Sequence, residues 1–435
     1  MKRSLFRFPS LCIFLIFLFP FFVIGQTLET EGEIQIAIND MLLEHPYKVG
    51  IFRIGPRLGL FSGYDSNALS TSISANEVGD YYVSATPGAS VALKLGHHGY
   101  FAFDEDLNFL YYRDLSQLRD IFNSSAATFV TGSSRLLLTV HGSYVDRKAR
   151  VSNEFDIPAH EKLGTVAASL LWDIRIRTGL RFGFEEEHAR YSEIADVVYI
   201  NPPPTDYRDT TYSAGVIERV GRGTSVTVDG YTGKTRFLNQ VNTGPGISDE
   251  TNFWKVLGGF EFDRPKLNGE LKAGFGHHTQ VVKSRSDLND LLVSTNLTWM
   301  FHRTQTAGVF FYRSQEVSAF IQDGFRISTE GGFRGSEPIS ERFFVDGSLT
   351  IGKNDYNGQF FVGPFPVTRD NYIIPDAGLD YLLTKNLILR GGLGYEHRNS
   401  NDPLLNRSRF IFDFGIRFEV TPGKPTVMSP GPSYP

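Results

Sequence analysis

From about Lys48 to Val420 the chain repeats one pattern: an amphipathic stretch of roughly 10–15 residues, a connection, then another such stretch. The hydrophobic period is two, which is the period of a strand with one apolar and one polar face, and not the 3.6 of a helix. In Arg175–Arg190, Ile176, Leu180, Phe182 and Phe184 alternate with Arg177, Gly179, Arg181, Gly183 and Glu185. In Arg409–Val420, Phe410, Phe412, Phe414, Ile416 and Phe418 face one way, and Arg409, Asp413, Gly415 and Arg417 the other. Phe101–Tyr112 sets Phe101, Phe103, Leu107, Phe109 and Tyr111 against Asp104, Asp106 and Asn108, with Glu105 interrupting the apolar row.

The connections alternate in length, and this decides what the strands build. Eight are short: Gly96–Gly99, Thr131–Ser134, Trp172–Ile174, Gly221–Gly223, Asp263–Asn268, His302–Thr304, Gly335–Ser340 and Thr384–Asn386. Nine generally longer ones lie between them, among them Asp65–Asn76, Asp146–Lys162, Tyr191–Asp209, Asn239–Glu250 and Lys353–Asp370. Nine long and eight short connections join about 18 strands, or 16 to 18 allowing for boundaries, with both termini on the short-turn side. Short turns on one rim and long loops on the other characterise outer-membrane barrels. Lipid offers no hydrogen bonds, so a spanning sheet must close and leave no edge. The fold class is therefore all-β: a closed antiparallel transmembrane β-barrel with short periplasmic turns and longer extracellular loops.

The ends support export to that membrane. Met1–Gly25 has a basic start (Lys2, Arg3, Arg7) and an apolar run, Leu11–Ile24, closing on Val23-Ile24-Gly25, and reads as a signal peptide cleaved before Gln26. The single cysteine, Cys12, lies inside it, so the mature chain has no disulfide, lipid anchor or thiolate metal site. No later stretch approaches the ~20 apolar residues of a membrane helix. Residues 26–47 form an N-terminal periplasmic segment, 48–420 the barrel, and 421–435 a proline-rich tail. That tail moves the signal for the barrel assembly machinery inward, to Phe414–Phe418. Removing three leader bases leaves 40 against 48 acids, a mature charge near −8 that excludes a basic nucleic-acid face.

The polar faces supply the functional candidates. Lumen-facing positions include Arg175, Arg177 and Arg181 as a basic ladder, with Arg326, Arg334, Arg390, Arg409 and Arg417 on other strands. Facing acids include Asp104, Asp106, Glu185, Asp229, Glu330, Asp346 and Asp413. Such a wall either screens solutes by charge or is simply the mixed polarity that a hydrated lumen requires. Trp172, Trp299 and Phe301 near short turns, and Tyr111, Tyr112 and Trp254 near long loops, would form two interfacial girdles. His277 and His278 are adjacent on a strand and point to opposite faces, so they do not share a metal; His141 and Ser143 share a face without a third catalytic member. No catalytic, cofactor or metal site follows. The apolar connection Lys353–Asp370 reads either as a constriction folded into the lumen or as a rim or partner contact.

One stretch carries a family resemblance. Phe52–Leu60, with Gly55-Pro56, runs into Gly63-Tyr64-Asp65-Ser66-Asn67, and Asp80–Lys94 carries Ala85-Thr86-Pro87-Gly88. This resembles the opening of the putative beta-barrel porin 2 family, where a first strand leads into Tyr-Asp-x-Asn and a second carries a Pro-Gly step. The resemblance implies porin-like architecture over about Lys48–Val420, and for some members a link to exopolysaccharide production. The expectation is an outer-membrane channel for passive diffusion of small hydrophilic solutes. Polysaccharide secretion and a non-conducting scaffold are the alternatives. Expected partners are membrane lipid, the assembly machinery and a solute or polysaccharide.

Overall fold

A computed structural model describes residues 45–71, 77–150, 158–195, 205–238, 248–280, 287–301, 305–318, 325–361 and 366–419. Nineteen strands run through them. In order they are β1 Tyr47–Val49, β2 Phe52–Asp65, β3 Asp80–Lys94, β4 Gly99–Tyr112, β5 Asp120–Ser133 and β6 Leu136–Arg150. Next come β7 Pro158–Asp173, β8 Thr178–Ser192, β9 Tyr207–Gly221, β10 Thr224–Phe237, β11 Glu250–Arg264, β12 Leu267–His278 and β13 Leu288–Met300. The last are β14 Thr306–Val317, β15 Phe325–Ser340, β16 Phe343–Phe361, β17 Pro366–Leu382, β18 Leu387–Ser400 and β19 Arg407–Glu419. Each strand from β2 pairs antiparallel with the next, and β19 returns to pair with β2, from Ile411↔Asp65 to Glu419↔Arg57. The result is a closed 18-stranded barrel, and the expected leader and the Pro-rich tail lie outside the described residues.

Among the described residues the ninth pair of that seam is the last, and β1 pairs with β2 beyond it. Tyr47–Val49 pairs with Phe52–Ile54, covering the lower edge of β2. The reversal needs a left-handed residue, and Gly50 supplies it with φ +65°.

Alternation sorts the two faces as the period of two requires. Phe410, Phe412, Phe414, Ile416 and Phe418 are exposed on the outside, while Arg407, Arg409 and Ile411 are buried on the inside. Outward rings and aliphatic chains that water would penalise are the surface that lipid covers. Trp172, Trp254 and Tyr111 lie in this outer layer. Tyr112 does not: it is one residue on from Tyr111, points inward and is buried. Glu105 shares the outer row with Phe103 and Leu107 and is half-buried.

Three boundaries differ from the sequence expectation. Gly335–Ser340 is strand, pairing with Thr306 and Ala307 on one side and Phe343–Gly347 on the other, and the turn lies at residues 341–342. The Gly and Pro read as turn formers instead mark a register shift between Pro338 and Ser340. The connection Lys353–Asp370 is largely a strand pair, with Asp355↔Arg369, Phe360↔Val367 and Phe361↔Pro366 in register. Finally, β8 starts at Thr178, because the Thr178 carbonyl accepts from the amides of Ile174 and Arg175 to close a turn there.

One ladder is incomplete. β13 and β14 pair only over Val293–Met300 and Thr306–Arg313, so Leu288–Leu292 and Ser314–Val317 do not pair with each other. The end of β14 leans over the wall instead. Gln315 Nε2 donates to the carbonyls of Gly276 and Leu288 at 3.3 Å each, and Arg313 donates to Asp290 at 2.6 Å. Side chains thus satisfy groups that a ladder would otherwise occupy.

Candidate functional site: the lumen wall and its mouth

The inner wall is organised by glycines. Arg57 on β2 is opposite Gly88 on β3, which is opposite Asp106 on β4. A Cβ on Gly88 would overlap the Asp106 carboxylate and press on the Arg57 guanidinium. Its absence lets Arg57 reach across an entire strand and form a two-point bridge to Asp106, 2.7 Å for each bond, with Asp104 at 3.2 Å. The same device recurs. Arg181 on β8 crosses Gly215 on β9 to Asp229 on β10, at 2.8 Å. Arg334 on β15 crosses Gly308 on β14 to Asn296 on β13, at 2.7 Å. Arg390 on β18 crosses Gly378 on β17 to Asp346 on β16, at 3.3 Å, and also holds Asp380 at 3.0 Å.

Arg181 also donates to Glu261 at 2.7 Å, and Lys272 continues the chain to Glu261 at 2.6 Å, Glu270 at 2.9 Å and Asp229 at 3.4 Å. Two cations and three carboxylates therefore run along the wall from β8 to β12. Most of these groups keep partial exposure, so each bridge adds at most about 1 kcal/mol. Their larger effect is to fix charges of both signs around the lumen.

The remaining predicted positions fall as follows. Arg175 and Arg177 are exposed in the connection before β8, so the expected ladder keeps only Arg181 on the wall. The strand begins three residues later than its alternation suggested, which places both bases at the periplasmic rim. Glu185 is exposed on the inner side of β8, and Arg326 is buried with its guanidinium 2.9 Å from Glu316. Asp413 lies over Gly392, where a Cβ would meet its carboxylate, and Arg417 pairs with Glu419 at 2.9 Å. Arg409 forks onto Asp65.

That last pair belongs to a buried constellation at the long-loop end. Asp65 (0% exposed) accepts from Arg409 and from the Asn67 amide. Asn67 donates from Nδ2 to the carbonyls of Thr71 and Ser408, and its own carbonyl accepts from Arg150, the last residue of β6. The Tyr-Asp-Ser-Asn segment is thus a clasp joining the first barrel strand to the last. Arg150 faces Glu396 at 3.6 Å, and nearby Arg398 and Tyr356 both donate to Asp370. With Arg407, four arginines are buried here beside the buried Asp65 and Asp370 and the half-buried Glu396.

Around them the loops supply an apolar core. Leu118, Ile194 and Leu405, from three different connections, pack with Tyr82, Leu110 and Tyr112 of the wall and with Ala68, Ala159, Tyr356 and Val367. On this arc of the long-loop end, loop residues are held in place by burial against the wall. Sequence reasoning missed Asp65, Arg150, Asp370 and Arg398 because they sit at strand ends; the Tyr-Asp-x-Asn spacing was their one signal.

The histidines lie apart. His277 stacks with Trp254 on the outside at 6.0 Å, His278 lies inside between Phe253 and Phe325, and His141 pairs with Thr128 at 3.0 Å. Among the described residues no three His, Asp or Glu side chains gather as metal ligands, and no helix is long and apolar enough to cross a membrane.

Similar solved structures are outer-membrane proteins. The FrpB iron transporter of Neisseria meningitidis shares 13% identity at a TM-score of 0.44, over 84% of this chain and 66% of that one. The siderophore receptor PirA of Acinetobacter baumannii shares 9% at 0.43, over 86% and 81%. OccAB4 of the same organism shares 8% at 0.44, over 84% and 97%. This chain spans just under two thirds of the length of FrpB. No curated protein matches the chain. The model of the putative beta-barrel porin 2 family matches residues 46–420.

Proposed function

The chain belongs to the putative beta-barrel porin 2 family, an outer-membrane barrel family, and from that premise we propose that it is a porin-like channel for small hydrophilic solutes. The observation that carries this reading is the inner wall. Charges of both signs, held in cross-strand bridges over glycines, line a closed cylinder of 18 strands. Barrels of 16–18 strands are wide enough to leave an aqueous channel. A wall of paired charges favours hydrated solutes of either sign over apolar ones. The mechanism is diffusion, with the loop residues at the mouth setting the size limit. No bond is made or broken.

The test is single-channel recording of the protein in planar bilayers, with swelling of liposomes in sugars of graded size. Discrete openings and size-limited swelling are expected. Silence from barrels shown to be folded by heat-dependent gel mobility would refute the channel. A second reading, passage of an anionic polysaccharide, is favoured by one observation: four arginines, Arg150, Arg398, Arg407 and Arg409, gather at the mouth. It requires an acidic oligosaccharide to block the current when added from the loop side, and a neutral one to leave it unchanged.

A further inference from the structure

Where β14 leaves β13 and leans inward, a side cavity of about 430 Å³ opens in the wall between the β14–β15 end and strands β9 to β13. One flank is apolar: Phe253, Leu257, Leu292, Val317 and Phe325. The charged side chains of the lining are mostly committed. Asp209 accepts from the hydroxyls of Thr235 and Thr211, and Glu330 from Tyr372 at 3.0 Å. Glu316 holds Arg326, and Arg313 holds Asp290.

Two groups stand out against that pattern. Lys255, half-buried on β11, places its ammonium 4.7 Å from the centre of the Tyr231 ring. Asp209 and Glu185 act on it electrostatically, but among the described residues no carboxylate reaches ion-pair distance. His278, one strand away and 7% exposed, is stacked 4.9 Å from Phe253 and tilted against Phe325 at 4.1 Å, and its Nδ1 is buried with no hydrogen-bond partner. Its ring closes the apolar flank and its Nδ1 has no accessible surface, so the head-group partner that the lining offers is the Lys255 ammonium.

We propose that this cavity is a binding site for a small organic monocarboxylate with an apolar body. The carboxylate would accept from the Lys255 ammonium, while the body packs on Phe253, Leu257, Leu292 and Phe325. The neighbouring acids restrict the head group to a single negative charge, because a dianion would face Asp209, Glu316 and Glu330 with, among the described lining residues, one uncommitted cation. The site stands on side chains of the wall and does not depend on whether the lumen conducts.

The test is calorimetric titration of the protein, purified from outer membranes in detergent, with phenylacetate, its neutral amide and phenyl phosphate. Phenylacetate is expected to bind one to one, and the amide and the phosphate at least about tenfold more weakly, the loss of one charge-assisted contact. Lys255→Met lowers phenylacetate affinity by a similar factor, while Lys255→Arg keeps it within about threefold. If Lys255→Met does not fold, by gel mobility and circular dichroism, Leu292→Phe replaces it, filling the apolar flank while leaving the ammonium. No phenylacetate binding to folded protein, equal binding of the amide or the phosphate, or unchanged affinity in a folded variant of either kind would overturn the site.

Discussion

Asp65→Asn is the sharpest test of the clasp at the mouth. The substitution keeps the shape of the side chain and removes its charge. In the native protein Asp65 is wholly buried, forked onto Arg409, and close to Arg150. Without it, Arg409 loses the carboxylate it forks onto and Arg150 loses a neighbouring one. Breaking a buried pair by removing one partner costs about 3–5 kcal/mol, because the remaining charge has lost its compensation and cannot reach water. At 1.4 kcal/mol per decade this is about two to three and a half orders of magnitude in the folding equilibrium. Urea unfolding in detergent or lipid, followed by tryptophan fluorescence and heat-dependent mobility, reads it directly. Asp65→Asn/Arg409→Met removes both partners and recovers part of the loss, so the cycle shows a coupling above about 1 kcal/mol. A single variant within about 1 kcal/mol of the native protein, or additive losses in the cycle, would refute the claim that the pair fastens the seam.

Three further outcomes follow from the wall and the loops. Gly88→Val drives a side chain into the Arg57–Asp106 bridge and lowers stability by about 1–3 kcal/mol in the same urea assay, whereas Gly142→Ala, whose Cβ has its nearest neighbour at 3.8 Å, leaves the midpoint unchanged. Arg181→Met removes a positive charge from beside Asp229 and Glu261, so the reversal potential in a salt gradient moves toward cation selectivity; a move toward anions contradicts the wall assignment. Leu118→Asp dissolves part of the apolar core at the mouth, and single-channel conductance rises if the loops limit the opening.

The faces of the barrel were legible in the sequence because a strand has only two of them. Once Phe410, Phe412 and Phe414 are known to point one way, Arg409 and Asp413 have no other direction available. The number of strands was legible for a related reason: short and long connections must alternate when neighbours are antiparallel. What each inward charge touches was not legible. Arg57 and Asp106 are 49 residues apart, and their contact depends on Gly88 arriving between them, which only the register of three strands decides. Arg175 and Arg177 were misplaced because alternation continues smoothly through a turn that one carbonyl, that of Thr178, closes. The apolar core of the mouth was hidden because single residues such as Leu118, Ile194 and Leu405 in polar loops carry no periodic signal. Nothing in the sequence around Arg313 marks where β14 leaves β13.

The clasp also keeps time. Asp65 and Arg409 are 344 positions apart along the chain, and their contact joins its first barrel strand to its last. Every other strand pair joins near neighbours in sequence, and loop-closure entropy makes so distant a contact the slowest to form. It cannot exist until the cylinder is otherwise complete. A reporter pair placed at those two positions would stay silent through insertion and signal only when the circle closes, separating the last event of biogenesis from all that precede it.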